Sequence, residues 1–264
     1  MNGIFNSGAV VLSDDPTITP VGRGRLVCED DFRNGPSGWV QLLDGNTGAG
    51  VVYLDTEIAY RGSPYSLYIG TEDYSSADYK PWGYATAIKR LSRGATVNKI
   101  YAEWWFGYGS LYGENTPKAI DFGIDQATPA ATRRYFKFRW LNYDEGTAAR
   151  VSKFQMSHTS SWVDVPSGAV NLGYNENKRN LWHVEAVVDI DDGVYDGLRV
   201  NGTGFGSLAS TPSSALRSYG PSSSTLAQFA SGFNATIDVV NRLNTNSTKA
   251  WANLAYFRAV EIAS

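Results

Sequence analysis

Cysteine is nearly absent. Cys28 is the only one in 264 residues, so no intrachain disulfide can form and the fold draws nothing from an oxidising compartment. Its short apolar surroundings mark Cys28 as a buried small hydrophobe. Two histidines, His158 and His183, are too few to make a zinc centre with one thiol. Neither sign of charge dominates: 23 Lys and Arg against 26 Asp and Glu leave a formal net charge of -3. That balance argues against nucleic acid and against an anionic membrane surface as partners. The small basic clusters Arg133-Arg134 and Lys178-Arg179 read as ordinary solvated charges. No apolar run approaches the roughly 18 residues of a membrane span. The first residues, MNGIFNSGAVVLSDD, lack the basic and apolar regions of a signal peptide. There is no Gly-x-Ser-x-Gly nucleophile elbow, and Gly22-Arg23-Gly24 has no strand before it or helix after it to make a phosphate loop. No segment sustains a 3.6-residue period, and Ser224–Ala230 is the single short helix candidate.

What is present is β-rich. Aromatics make up 13% of the chain, with 8 Trp, 16 Tyr and 27 Gly. Strand-like segments recur between Gly, Pro, Asn, Asp and Ser clusters, over 25–32, 38–43, 49–54, 65–70, 83–91, 98–107, 118–125, 133–142, 150–157, 181–191, 194–201, 234–242 and 251–262. Many alternate cleanly. Ile100, Ala102, Trp104 and Phe106 face one way, and Lys99, Tyr101, Glu103 and Trp105 the other. Phe136, Phe138 and Trp140 oppose Tyr135, Lys137 and Arg139. Antiparallel sheets with one wet face read this way. Two such sheets face to face make a sandwich, and a dozen or so strands make a jelly roll the economical architecture. The expected fold class is therefore all-β, with residues 25–264 as one antiparallel two-sheet domain. Residues 1–24 contain Gly, Pro and Asp and no convincing strand. They are expected to form an arm that docks on a neighbouring chain.

The stretch Leu181–Gly202, LWHVEAVVDIDDGVYDGLRVNG, reads as two strands around an acidic turn. Trp182, Val184, Ala186, Val188 and Ile190 share one face; His183, Glu185, Val187 and Asp189 share the other. This hairpin resembles the signature hairpin of laminin-G-like and concanavalin-like lectin jelly rolls. Glu29-Asp30-Asp31-Phe32 with Gly38-Trp39 resembles their opening strand and turn, and Leu254–Ile262 their closing strand. The resemblance covers about residues 25–263. It implies that the first and last strands pair side by side. The superfamily hosts lectins, hydrolases, lyases and structural modules alike, so it implies a fold more than a function.

Glycoside hydrolysis needs two carboxylates roughly 5–9.5 Å apart. Glu185 and Asp189 share a face but lie four residues apart, roughly 13 Å along a strand, and the same arithmetic disfavours Asp121 with Asp125. Only Glu29/Asp31 and Asp189/Asp191 have i, i+2 spacing, near ~6.6 Å; the first pair sits in the presumed edge-pairing strand and the second runs into a turn. The alternating Glu-x-Asp-x-Glu strand of concanavalin-like hydrolases is absent. Cross-strand pairs stay open at this point. Asp189, Asp191 and Asp192 crowd one hairpin and form a candidate Ca2+ site, although Asp also collects in turns for reasons of its own. His183 reads as a surface strand residue.

The remaining candidate is an aromatic, charged face for binding. If Glu103 is on a wet face, Tyr101 and Trp105 share it; if the following strands run as a meander, Tyr135, Lys137, Arg139 and Lys153 lie beside them. Rings pack the apolar face of a sugar and charged groups read its hydroxyls, and the same residue types suit a protein interface. The competing reading puts Trp105 under a loop, in a secondary core. The expected function is a non-catalytic, surface-exposed binding or structural module with a lectin-like fold, contacting glycans or neighbouring subunits. Its expected setting is a virion, as a phage tail or capsid-associated protein. Expected partners are other virion subunits through residues 1–24, further copies of the chain, and cell-surface glycan. The alternative is a carbohydrate-active enzyme or carbohydrate-binding module.

Overall fold

The computed structural model describes residues 24–41, 50–56, 58, 60, 62–71, 84–92, 99–108, 117–127, 133–143, 150–158, 161–165, 181–190, 192–201, 203–204, 232–240 and 250–262. The expected arm (through residue 23), the Ser224–Ala230 helix candidate and Asp191 lie outside them. The strands in chain order are β1 (Gly24–Asp30), β2 (Val40–Gln41), β3 (Gly50–Asp55), β4 (Ser66–Thr71), β5 (Tyr84–Ser92), β6 (Lys99–Tyr108), β7 (Ala119–Ala127) and β8 (Arg133–Tyr143). They continue as β9 (Arg150–His158), β10 (Ser161–Asp164), β11 (Trp182–Asp189), β12 (Val194–Val200), β13 (Thr203–Gly204), β14 (Gly232–Val240) and β15 (Trp251–Ile262). Among the described residues there is no helix, and so none long and apolar enough to cross a membrane.

Two antiparallel sheets result. The first has the order β13-β12-β11-β6-β15-β4-β3, with β1 also on β15; the second runs β10-β9-β8-β7-β14-β5-β2. This is the jelly-roll sandwich expected from the alternation. The first and last strands do pair, with Gly24 opposite Ile262 and Asp30 opposite Phe257.

The inward residues of both sheets form one core. Trp104 and Phe106 of β6 meet Phe122 of β7 at ring-centroid distances of 5.7 and 4.8 Å, and Tyr108 meets Trp140 at 4.5 Å. Each such fully buried aromatic stabilises the fold by about 1.5–3 kcal/mol through removal of apolar area from water. Tyr195 of β12 crosses the core. Its hydroxyl accepts the Lys137 N–H at 3.1 Å and donates to the Ser157 carbonyl at 3.0 Å, pinning one sheet to the other.

The opening motif gains a physical reason. Asp30 turns inward and accepts the Trp39 indole N–H at 2.9 Å and the Lys89 ammonium at 2.7 Å, so it ties the turn after β1 to β5 of the opposite sheet. Gly35 and Gly38 take φ of 113° and 83° in that turn, backbone conformations that a Cβ disfavours. Cys28 differs from the small hydrophobe expected. It is only partly buried, and its thiol lies 3.2 Å from Asp30 Oδ2. Burial, with the Asp30 charge beside it, pushes the thiol up to about 12.

Two bulges decide what the first sheet shows on its outer face. In β15 the register against β6 slips at Ala255, between Leu254 opposite Phe106 and Tyr256 opposite Trp105. Before the slip Ala252 and Leu254 face the core; after it Phe257 and Ala259 do. The extra residue therefore turns Tyr256 and Arg258 outward. A second slip in β1, between Leu26 and Cys28, brings Glu29 outward opposite Arg258.

Candidate functional site

Register places the outward side chains of the first sheet in rows across its strands. One row runs Glu29, Arg258, Glu103, Glu185, Arg199 over β1, β15, β6, β11 and β12. Beside it lies a ring row, Tyr256, Trp105, His183. On its other side Tyr101, Val187, Val260 and Ile262 pack into a small apolar cluster of their own.

Glu103 and Glu185 are thus direct cross-strand neighbours, a juxtaposition that is destabilising unless charge is supplied around it. Tyr101 OH sits 2.9 Å from Glu103 Oε2 and 2.7 Å from Glu185 Oε1. Having one proton, it donates to one carboxylate at a time. His183 Nε2 lies 2.9 Å from Glu103 Oε2 and its Nδ1 3.6 Å from Glu185 Oε2. Arg258 Nε lies 2.7 Å from Glu103 Oε1, and Arg199 Nη1 lies 3.7 Å from Glu185 Oε2. Burial works against ionised Glu103, but the His183 hydrogen bond and the Arg258 charge outweigh it and hold the carboxyl below its usual range. Burial, with both glutamates adjacent, drives the Tyr101 hydroxyl far up, so it stays a donor.

This network floors one end of an open cleft of about 610 Å³, lined by Glu29, Asp31, Arg33, Tyr60, Glu103, Trp105, Tyr256 and Arg258. The cleft lies where the neighbour of β15 changes from β4 to β1 along its length. The β3–β4 connection folds over the sheet there, with Ile58 seated on Gly107; a Cβ at Gly107 would come within 3.0 Å of Ile58 Cδ1. Tyr60 from the same connection stacks on Tyr256 at 4.5 Å and meets Trp105 at 5.3 Å, and Trp105 stacks on His183 at 4.1 Å and 14°. Tyr256 OH donates to Glu29 Oε1 at 2.7 Å.

The expected site residues separate into two groups. Tyr101, Glu103 and Trp105 come together on β6, but Tyr135, Lys137 and Arg139 lie on β8 of the other sheet, because the chain crosses over between β6 and β7. The meander expected beside Glu103 forms instead as β7-β8-β9-β10. There Arg139 and Lys137 pair with buried Asp121 at 2.7 Å each, and Trp162 of β10 covers the Arg139 guanidinium at 3.9 Å. Burial opposes ionised Asp121, but the two cations win and hold it at about 2. Tyr135 is buried against Thr236, 3.2 Å from its hydroxyl. The face expected to be wet is largely closed as well: Tyr101 is 1% exposed, Glu103 6% and Glu185 5%. Trp105 is both loop-covered and cleft-lining, which joins the two readings of it. His183 is no bystander but joins both carboxylates, and its clue was its place two residues before Glu185 on the polar face of β11.

Two cation sites are conceivable. The ligand atoms of Glu103, His183 and Glu185 lie within 4.8 Å of one another. They already bond within the protein, and two guanidinium groups would adjoin any ion there. At the acidic hairpin, Asp189 Oδ1 accepts the Asp192 N–H at 2.9 Å, and Lys99, paired with Asp196, brings positive charge near Asp189 and Asp192. That donor set fits a turn better than the six to eight oxygens of calcium.

No protein-family model matches the chain, and no curated protein sequence does. Solved structures of similar fold include peanut lectin, at 8% identity, covering 90% of this chain and 97% of that one with a TM-score of 0.49. Lectin II from Ulex europaeus aligns at 8% identity over 89% of this chain and 99% of its own, TM-score 0.48. An endo-β-1,4-glucuronan lyase from the fungus Trichoderma reesei aligns at 10% identity over 90% and 94%, TM-score 0.47.

Proposed function

We propose that this protein is a non-catalytic glycan-binding module and that the cleft over β1, β15 and β6 is its site. The observation that carries the reading is the meeting of Tyr60, Trp105 and Tyr256 with the fixed charges of Glu103 and Arg258 in one open cleft. Rings take the apolar face of a sugar, and held charges take its hydroxyls. Glu103 is oriented from behind by Tyr101 and His183, which do not line the cleft, and in turn holds Arg258. A glycan array is the test. Binding should appear in the wild type and fall at least about tenfold in Trp105→Ala; an array with no binder sinks the reading.

The setting proposed for the module is a virion, where residues 1–24 dock it on neighbouring subunits and further copies of the chain assemble with it. This rests on sequence grounds: a single cysteine and an arm without strand pattern. Deleting the arm should abolish incorporation into particles while leaving glycan binding intact.

A second reading is supported by one observation, the cross-strand pair Glu103/Glu185. Two carboxylates this close are the equipment of a carbohydrate-active enzyme. Glu185 does not line the cleft, however, and Glu103 is held ionised, so neither member of the pair is set up as a proton donor there. Release of reducing ends from polysaccharides, lost in both Glu103→Gln and Glu185→Gln, would establish the enzyme and displace the first reading.

A further inference from the structure

We infer that the ligand of the cleft is an acidic glycan, built from hexuronic acid units, and that Arg258 reads its carboxylate. The inference rests on the cleft being a glycan site. It follows from how the charged groups there are held. Glu29 takes the Tyr256 hydroxyl at 2.7 Å. Asp31 takes the Arg33 backbone N–H at 3.0 Å and lies 3.4 Å from the Arg33 guanidinium. Glu103 is engaged by Tyr101, His183 and Arg258. Each carboxylate of the cleft is thus engaged at least once within the protein.

The donor that reaches the cleft is Arg258, held as an ion pair with its Nε 2.7 Å from Glu103 Oε1. Its guanidinium stands 5.7 Å from the Tyr101 ring centroid, and its side chain keeps 27% exposure into the cleft. Glu103 opposes the burial of this guanidinium and keeps it charged. The result is a planar fork whose position is set before any ligand arrives, the geometry that grips a carboxylate through two parallel N–H bonds. Arg33 stands in the same cleft with a side chain 57% exposed. Two guanidinium groups in one cleft, one of them held in place by Glu103, suit a ligand that brings its own acceptors. A sugar ring bearing a carboxylate offers that, with an apolar face for Trp105 and Tyr256.

The experiment compares hexamers of galacturonate, glucuronate and mannuronate with the same hexamers after reduction of their carboxyl groups, by calorimetry on the full chain. Arg258→Lys is the paired variant; it keeps a cation beside Glu103, so the network stays neutralised, but it removes the fork. In the wild type at least one acidic hexamer should bind about tenfold or more tighter than its reduced form. In Arg258→Lys that preference should shrink to within about threefold, the acidic hexamer losing more affinity than its reduced form. Equal wild-type affinity for the two forms, or a preference that survives Arg258→Lys, overturns the inference while leaving a neutral-glycan site standing. A wild type that binds no member of the set while binding neutral glycans on an array also overturns it. Failure on every glycan removes both the inference and the reading beneath it.

Discussion

Glu103 and Glu185 face each other across β6 and β11, and the hydroxyl of Tyr101 lies within 2.9 Å of both. A buried pair of acids is thereby held by one hydroxyl proton, one imidazole and two guanidinium groups. Tyr101→Phe removes the hydroxyl and leaves the ring in its apolar cluster with Val187 and Val260. The variant should lose about 1–3 kcal/mol, the cost of a buried hydrogen bond withdrawn from charged acceptors. Because Glu103 has a lowered carboxyl pKa in the folded state, its contribution is present above the ordinary carboxylate range and fades as pH falls through it. The deficit of Tyr101→Phe in urea unfolding should therefore be largest near neutral pH and smaller near pH 4. A deficit independent of pH would place its origin in packing.

The opposite sheet carries the stronger acid-sensitive group. Asp121 is held at about 2 by Arg139 and Lys137, against 3.8 for an unperturbed aspartate. A folded-state pKa below the unfolded one stabilises the fold above pH ~4, and that stability is lost as pH falls toward 2. The difference corresponds to about 2 kcal/mol. Stability measured from pH 5 to pH 2 should fall steeply, and Asp121→Asn should flatten the slope while lowering stability at neutral pH, because Arg139 and Lys137 lose their buried partner. An unchanged slope in Asp121→Asn would assign acid sensitivity elsewhere.

The strands were legible in the sequence because their alternation is strong: Ile100, Ala102, Trp104 and Phe106 are all fully buried, as are Phe136, Phe138 and Trp140. Two short strands escaped notice. Ser161–Asp164 and Thr203–Gly204 are too brief for a period of two to register. The site was legible only in part. Glu103 and Trp105 stood out as polar and aromatic on one strand, but their partners depend on which strands become neighbours. That is decided by core packing across the whole chain, so β8 lies in the other sheet and not beside β6, where a continuous meander would put it. Tyr256 and Arg258 were hidden for a local reason. Leu254-Ala255-Tyr256-Phe257 contains no polar residue to mark where the register slips, so a strict alternation from Ala252 and Leu254 would have turned Tyr256 and Arg258 toward the core.

The loop that walls the cleft rests on the absence of a side chain. A Cβ at Gly107 would approach Ile58 Cδ1 to 3.0 Å, so Gly107→Val should push Ile58 away and lift Tyr60 from Tyr256 and Trp105. Glycan affinity should drop several-fold although no cleft-lining residue is changed, with a loss of about 1–3 kcal/mol in stability. Affinity equal to wild type would show that Tyr60 contributes nothing to the site.

Glu29 supplies a last and less intuitive test. Its carboxylate lines the cleft opposite Arg258 in the register and accepts the Tyr256 hydroxyl. Glu29→Gln keeps a carbonyl oxygen for that hydroxyl but removes a negative charge facing the ligand. For a neutral glycan the substitution should be nearly silent. For an acidic one it should tighten binding, because a like charge beside the ligand carboxylate is gone. The gain should be about two- to fivefold near 0.01 M salt, where the Debye length is about 30 Å, and should vanish near 1 M, where it is about 3 Å. Burial and the adjoining Glu29 carboxylate together raise the Tyr256 hydroxyl above its ordinary value. In Glu29→Gln its absorbance titration should therefore move back down, giving a readout of the charge change that does not depend on any ligand. If acidic hexamers bound Glu29→Gln more weakly than wild type at low salt, Glu29 would act as an acceptor for ligand hydroxyls and not as a repelling charge.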